Sequence, residues 1–499
     1  MKKISLLFIL CMHLLPGFSQ LKSRVDERFE LTSIVFRLAE AEEYVNNQVK
    51  DYAAAIDAYF APYKEHPLIR YVKEIRERDE VAYNAVSSIT FQLEIKANRI
   101  GLHPQTDRQA FLQDEPRWKE ETLDKFIQLL DKFYRETKFK TFYNRHRALY
   151  AATEKRFDEL LQTIHEEWFQ SFFGEPLGNP AIYLSLSNGA SNYALSACRK
   201  DGFSNYGIII GCSKVDKEGI PDFIISYNIY NNEPIYHTGT IKLIIHELSH
   251  HFNNPLVAEY EQEMSMAAEK IFPSVREQLA KYAYDYANAT LYEGLNELCV
   301  NMYFREYIHY FTSNYIRFNE DRGFVWMRRA MRFMNHFDEN RTLYPTIKDF
   351  MPQLVSFIRT SGDQIEQIMD EYTHSFPYVV NVFPGTNTTV SSDVKEIRVE
   401  FSHPMHGTYG TSRAKQDSLK IPKYLIGYWS IDEKTYIISN DHPLAAPIFY
   451  WSEDKKTLII PVELEKGENY GFRLRARAFQ SFDTFPMKED FEILFNTSE

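Results

Sequence analysis

Apolar positions between about residue 25 and residue 173 recur every three or four places, as Phe29, Leu31, Ile34, Val35, Leu38 and Ala39 do, with charged residues between them. That spacing predicts amphipathic helices. Similar periods run through residues 52–89 and 123–173, punctuated by His66-Pro67 and by the stretch around Pro104, since proline removes a backbone donor and turns the preceding residue away from helix. A helical layer of roughly five or six segments is expected. From residue 174 to 232 glycine, proline, asparagine and serine become frequent, and the short runs 181–184, 206–210 and 223–227 predict strands of a small sheet. An apolar helical stretch, 240–252, follows; Asn254-Pro255 predicts its end, and residues 258–311 are helical again with a break at Pro273. Near Phe376-Pro377 the period changes to two. Ile397-Arg398-Val399-Glu400-Phe401 and the run 472–478 alternate apolar with charged residues, which predicts strands buried on one face.

These patterns predict an α+β chain: a mainly helical region with a small sheet, 20–375, divided into a helical layer (20–173) and a sheet with further helices (174–375), followed by a separate β-sandwich, 376–499. A length of 499 residues suits two or three domains. Hydrophobic residues make up 44% of the chain and aromatic residues 15%, enough for cores built from large flat side chains. A net charge of -12 without long like-charge blocks argues against nucleic acid as a partner. At the start, Lys2 and Lys3 precede an apolar run, 4–15, and then small residues at Gly17 and Ser19. That order predicts a signal peptide over residues 1–19 and export. The run falls short of the roughly 20 residues that span a bilayer, so stable membrane insertion is not expected. Beyond it stand Cys198, Cys212 and Cys299, too few for a disulfide scaffold, with a bridge between Cys198 and Cys212 as the one pairing to consider.

The candidate chemistry lies in the apolar helix, which carries His246-Glu247-Leu248-Ser249-His250. Residues four apart on a helix lie one above the other, so His246 and His250 can present two imidazoles to one metal ion with Glu247 beside them as a general base. A catalytic zinc takes three protein ligands and leaves one position open, so a further carboxylate or histidine is required. The apolar stretch 291–301 carries Glu293 and Glu297. A carboxylate on an apolar face is costly without a partner, which favours Glu297, between Leu295, Leu298 and Val300. Glu293, nearer the helix start, remains the other candidate, as a ligand or as a charge favourable to that end.

His246-Glu247-Leu248-Ser249-His250 with the later Asn296-Glu297 resembles the gluzincin metallopeptidases, the thermolysin-like family. That resemblance implies His246, His250 and Glu297 as zinc ligands, Glu247 as base and a zincin-like fold. Two features depart from it: the separation of the two helices is longer, and Asn301 stands where thermolysin has an aspartate that orients a ligand histidine. A wider stretch, about 29–311, resembles an uncharacterised bacterial family of unknown function suspected to contain secreted metallopeptidases, through the segments 168–174 and 250–256. The last domain resembles a bacterial Ig-like module through Val399-Glu400-Phe401-Ser402-His403-Pro404-Met405, Gly467-Glu468-Asn469-Tyr470 and the closing run 491–495.

The expected function is therefore an exported zinc metallopeptidase whose partners are protein or peptide substrates, with the Ig-like module as a spacer or an attachment to a cell surface or partner. Tyr303, Arg305, His309, His336 and His374 are all candidates for steadying an oxyanion. The strand near 206–210 is a candidate for holding an extended peptide by edge pairing. The alternatives are an exported binding or adhesion protein with a degenerate metal site, and a zinc hydrolase of non-peptide substrates.

Overall fold

The computed structural model describes residues 21–46, 48–202, 205–212, 214–228, 234–407, 410–416, 418–422, 427–430, 435–438 and 449–499, with backbone alone for 427–430 and 435–438. The expected signal peptide lies outside the described residues. No helix among the described residues is long and apolar enough to cross a membrane. Mixed α and β structure falls into two compact units, the first running to Glu261 with Leu295–Tyr303 and Phe337–Gln353, the second made of Gln262–Gly294, Phe304–His336 and Leu354–Glu499.

The first unit opens with the helical layer. Its described residues up to Phe173 form ten helices instead of five or six. The periodicity conceals the breaks: Lys138, at φ 50°, separates Glu120–Glu136 from Phe139–Arg145 without a glycine or proline to announce it. A hairpin, Leu93–Lys96 with Arg99–Leu102, also interrupts the layer. Helix Glu27–Leu38 starts at Asp26, whose carboxylate accepts from Arg28 N at 3.0 Å, and it buries Phe29, Ile34, Val35 and Phe36. Glu30 of this helix is fully buried as well. Its carboxylate accepts from Tyr52 Oη at 2.7 Å, Ser185 Oγ at 2.7 Å, Leu186 N at 2.8 Å and Ser187 Oγ at 2.9 Å, which pins the helix to the end of strand Ala181–Ser185. Desolvation pushes the Glu30 carboxyl above its ordinary range, and these four donors oppose the push.

The sheet of this unit has the order Ser23–Val25, Ala181–Ser185, Tyr206–Gly211, Asn192–Ser196. The first three run parallel and the last antiparallel. Two expectations change. Tyr206–Gly211 is paired on both sides and has no edge to offer a peptide; its apolar run Ile208-Ile209-Ile210, fully buried, is the signature of an interior strand. The edges are Ser23–Val25 and Asn192–Ser196, the latter a strand missed in the sequence because its short polar ends resemble loop. Cys198 and Cys212 are both free. The antiparallel register Asn192↔Ile210 to Ser196↔Tyr206 leaves them beyond opposite ends of the ladder, roughly 15 Å or more apart at about 3.3 Å per residue.

One helix, Thr238–Ala280, carries the His-Glu-x-x-His motif and continues for 43 residues through both Pro255 and Pro273, neither of which breaks it. An interior proline costs about 3 kcal/mol. Burial of Phe252, Leu256 and Val257 around the first, and of Ile271 and Val275 around the second, offsets that cost. Helix Ala289–Tyr307 follows.

The second unit contains helices His309–Asp321 and Ile365–His374 and ends in two four-stranded sheets. One has the order Thr388–Val390, Phe491–Thr497, Asn469–Leu474, Thr411–Arg413; the other Tyr450–Trp451, Thr457–Pro461, Glu396–Phe401, Val379–Phe383. Ile397, Val399 and Phe401, every second residue, meet Leu458 and Ile460 of the same sheet and Phe472, Leu474, Ile493 and Phe495 of the other in one core. The expected strand over 472–478 stops at Leu474, and Ala476–Ala478 is a three-ten turn because Ala476 N turns to the Asp490 carboxylate at 2.8 Å.

Candidate metal centre

His246 and His250 stand one turn apart on the motif helix, with ring planes at 88° and Nε2 atoms 3.1 Å from each other. With Glu247 they form a cluster whose potential ligand atoms all lie within 4.8 Å of one another. His246 and Glu247 are buried and His250 is half-buried. His250 Nδ1 lies 3.0 Å from Asn254 Oδ1, and His246 Nδ1 lies 3.3 Å from Glu297 Oε1. The acceptor behind His250 favours the tautomer with hydrogen on Nδ1 and turns its Nε2 lone pair toward His246. The two Nε2 atoms are within hydrogen-bond distance of each other, the donor depending on the tautomer of His246. The separation is close to the edge of a zinc tetrahedron, roughly 3.3 Å for bonds of about 2.0 Å, so the donor set fits a zinc ion held by His246 and His250.

Helix Ala289–Tyr307 buries Leu291, Leu295, Leu298, Val300 and Phe304, and Glu297 is fully buried among them. Its Oε1 lies 3.1 Å from Lys242 Nζ as well as 3.3 Å from His246 Nδ1. The carboxylate thus meets His246 on the side of the ring opposite the paired Nε2 atoms and is balanced by an ammonium group. Lys242 was not singled out in the sequence. The signal was present: a lysine one turn before His246 in an otherwise apolar run has to find an acid. Asn296 Nδ2 donates to His246 O at 2.9 Å and ties the two helices together through the backbone. Asn301 Nδ2 donates to Glu297 O at 2.9 Å, so the acceptor beside His246 is Glu297. Glu293, in the second unit, accepts from Tyr284 Oη at 3.0 Å.

The edge strand Asn192–Ser196 carries Tyr193, half-buried, whose phenol is pushed up by burial first, with the Glu247 carboxylate among the further causes. Of the other expected residues, Tyr303 is buried against Trp168 and its hydroxyl accepts from His165 N at 3.0 Å. Arg305, His309, His336 and His374 belong to the second unit. His251 stacks face to face on Tyr206 with ring centroids 3.6 Å apart, away from the ligand face, and burial lowers its pKa.

The chain belongs to the family described as a domain of unknown function, DUF4932, which matches residues 20–357. A search of the curated proteins finds no match. Among solved structures it is similar to CopC from Methylosinus trichosporium OB3b at 13% identity, over 25% of this chain and 96% of that chain, with a TM-score of 0.16. It is also similar to the surface layer protein SbsC, domains 1-6, at 9% identity, over 50% of this chain and 33% of that chain, with a TM-score of 0.17.

Proposed function

We propose that this member of the DUF4932 family is an exported zinc-dependent metallopeptidase. The observation that carries the reading is the convergence of His246, Glu247 and His250, whose potential ligand atoms lie within 4.8 Å of one another with the two Nε2 atoms 3.1 Å apart. His246 and His250 hold the zinc through Nε2. Glu297, engaged by Lys242 and the far side of His246, positions that histidine and raises its basicity. Glu297, the carboxylate expected from the sequence to complete the ligand set, and the alternative Glu293 are told apart by separate substitution.

Zinc bound there supplies Lewis-acid activation of water and of a scissile carbonyl. Glu247 takes the proton from the attacking water and passes it to the leaving amine. The edge strand Asn192–Ser196, with one paired neighbour among the described residues, offers backbone groups for an extended peptide, and Tyr193 brings a phenol toward the same region. The two-sheet region serves as an Ig-like spacer or attachment module. Its outer strand Val379–Phe383 exposes Val380 and Phe383, the one feature that favours the second reading, adhesion.

Zinc content of the purified chain, measured by mass spectrometry, tests the first claim: near one ion per chain is expected, and none in His246→Ala. A chain without zinc, or one that keeps its zinc in that variant, overturns the metal centre.

A further inference from the structure

A cavity of about 590 Å³ lies wholly in the second unit, away from the metal-centre residues in sequence. Helices His309–Asp321 and Ile365–His374 and the arginines Arg328, Arg329 and Arg332 form one wall, and the turns at Pro404 and 481–483 form the other. Among the described residues, the ion pairs of the wall leave Arg332 over. Arg328 reaches Glu320 Oε2 and Asp483 Oδ1, each at 3.1 Å, and Arg329 Nε donates to Glu371 Oε2 at 2.9 Å while its Nη1 reaches Gln364 at 2.8 Å. Arg332 makes no ion pair or hydrogen bond among the described residues, because Glu371, whose charge it feels, is gripped at both oxygens by Arg329. Deeper in, Ser481 is 4% exposed and its Oγ has no hydrogen-bond partner among the described residues. At the rim, Phe482 is 57% exposed, its ring centroid 6.2 Å from that of His406.

We infer that this cavity binds an acidic carbohydrate, its carboxylate on Arg332, a ring face on Phe482 and a hydroxyl on Ser481. The lining joins Glu320, Asp483 and Glu371, each paired with Arg328 or Arg329, to Arg332 and Ser481, so hydroxyl groups that both give and take hydrogen bonds find partners beside the arginine left out of those pairs. The apolar ring adds the flat surface against which the C–H face of a sugar packs. Burial pushes the Glu320 carboxyl up to about 7, so mild acid removes one negative charge from the wall and favours the carboxylate further. The site is independent of the metal reading.

Saturation-transfer NMR and calorimetry on the full chain, with glucuronate and N-acetylneuraminate as probes and with glucose and inorganic phosphate as controls, test the assignment. Saturable binding of at least one acid sugar below about 10 mM is expected, stronger than either control. Arg332→Gln should weaken it about tenfold and Phe482→Ala several-fold, with Tm unchanged because both side chains are exposed. Ser481→Ala should weaken it by a smaller factor. Phosphate binding as tightly as the acid sugars would reduce the cavity to an anion site and overturn the carbohydrate. No saturable binding, or affinities unmoved by Arg332→Gln and Phe482→Ala, would overturn the site itself.

Discussion

Two buried carboxylates of the first unit, Glu30 and Glu297, face opposite kinds of company. Glu30 receives four hydrogen bonds from three neutral hydroxyls and a backbone N–H, two on each oxygen, and Tyr52, one of the donors, is itself bonded to Tyr150 at 2.6 Å. Everything in that cluster is satisfied from within. Glu297 instead stands beside a histidine and an ammonium group, Lys242, and that histidine's Nε2 lies 3.1 Å from the Nε2 of a second. A closed cluster spends its polar groups on the fold. The other gathers two imidazoles and a carboxylate, the donor types a metal ion takes, and on the proposed reading that difference separates a structural carboxylate from one at a functional site.

The largest effect expected is at the open cluster. Glu247→Gln should keep the zinc and lower hydrolysis of an unfolded protein substrate by about 10²- to 10⁴-fold, whereas unchanged turnover would remove Glu247 from the base role. Next comes the closed cluster. Glu30→Ala strands the hydroxyls of Ser185 and Ser187 and the N–H of Leu186, and should cost about 4 kcal/mol in urea unfolding. His246→Ala in zinc-free protein should cost less, about 2 kcal/mol, since it removes a buried ring and one hydrogen bond and leaves Glu297 paired with Lys242. Equal costs for these two substitutions would erase the contrast. A smaller effect belongs to Glu297→Gln, expected to weaken zinc about 10- to 100-fold in a chelator competition without abolishing binding, as suits a group acting through His246. Complete loss of zinc with Glu297→Gln, and retention with Glu293→Ala, would make Glu297 the ligand.

The smallest is a pH effect in the second unit. Burial raises Glu320 to about 7 from 4.5, against the opposing Arg328. The folded chain therefore holds this proton between those values after the unfolded chain has released it, so the contribution is complete below about 4.5 and is lost as pH rises through about 7. Stability measured at pH 5.5 and at pH 8 should favour the lower value, and Glu320→Gln should flatten the difference; an unchanged slope in that variant would assign the effect elsewhere.

Much of this was legible before folding. His246, Glu247 and His250 depend on one helical turn, and an apolar run of that length makes the helix, so their convergence follows from local spacing. The alternation of Ile397, Val399 and Phe401 likewise announced a strand with one buried face. Where expectation failed, a long-range contact outweighed a local signal. Pro255 and Pro273 are strong helix breakers in isolation, yet the burial on either side carried the helix through them. Asn192–Ser196 has weak strand character and became the sheet edge because Tyr206–Gly211 offered it a ladder.

What the sequence determined by itself is thus the pair of imidazoles, the carboxylate of Glu247 beside them and the change from helical to strand periodicity near residue 376. Tertiary structure alone decided the rest: that Glu297, 51 residues after His246, comes to its Nδ1 together with Lys242, and that Asn192–Ser196 lies at an edge of the sheet while Tyr206–Gly211 lies inside it. The reason is physical. Helix and strand periods arise from bonds between near neighbours, whereas the side of an imidazole that a carboxylate reaches depends on how two helices pack, to within an ångström, and no local pattern encodes that distance.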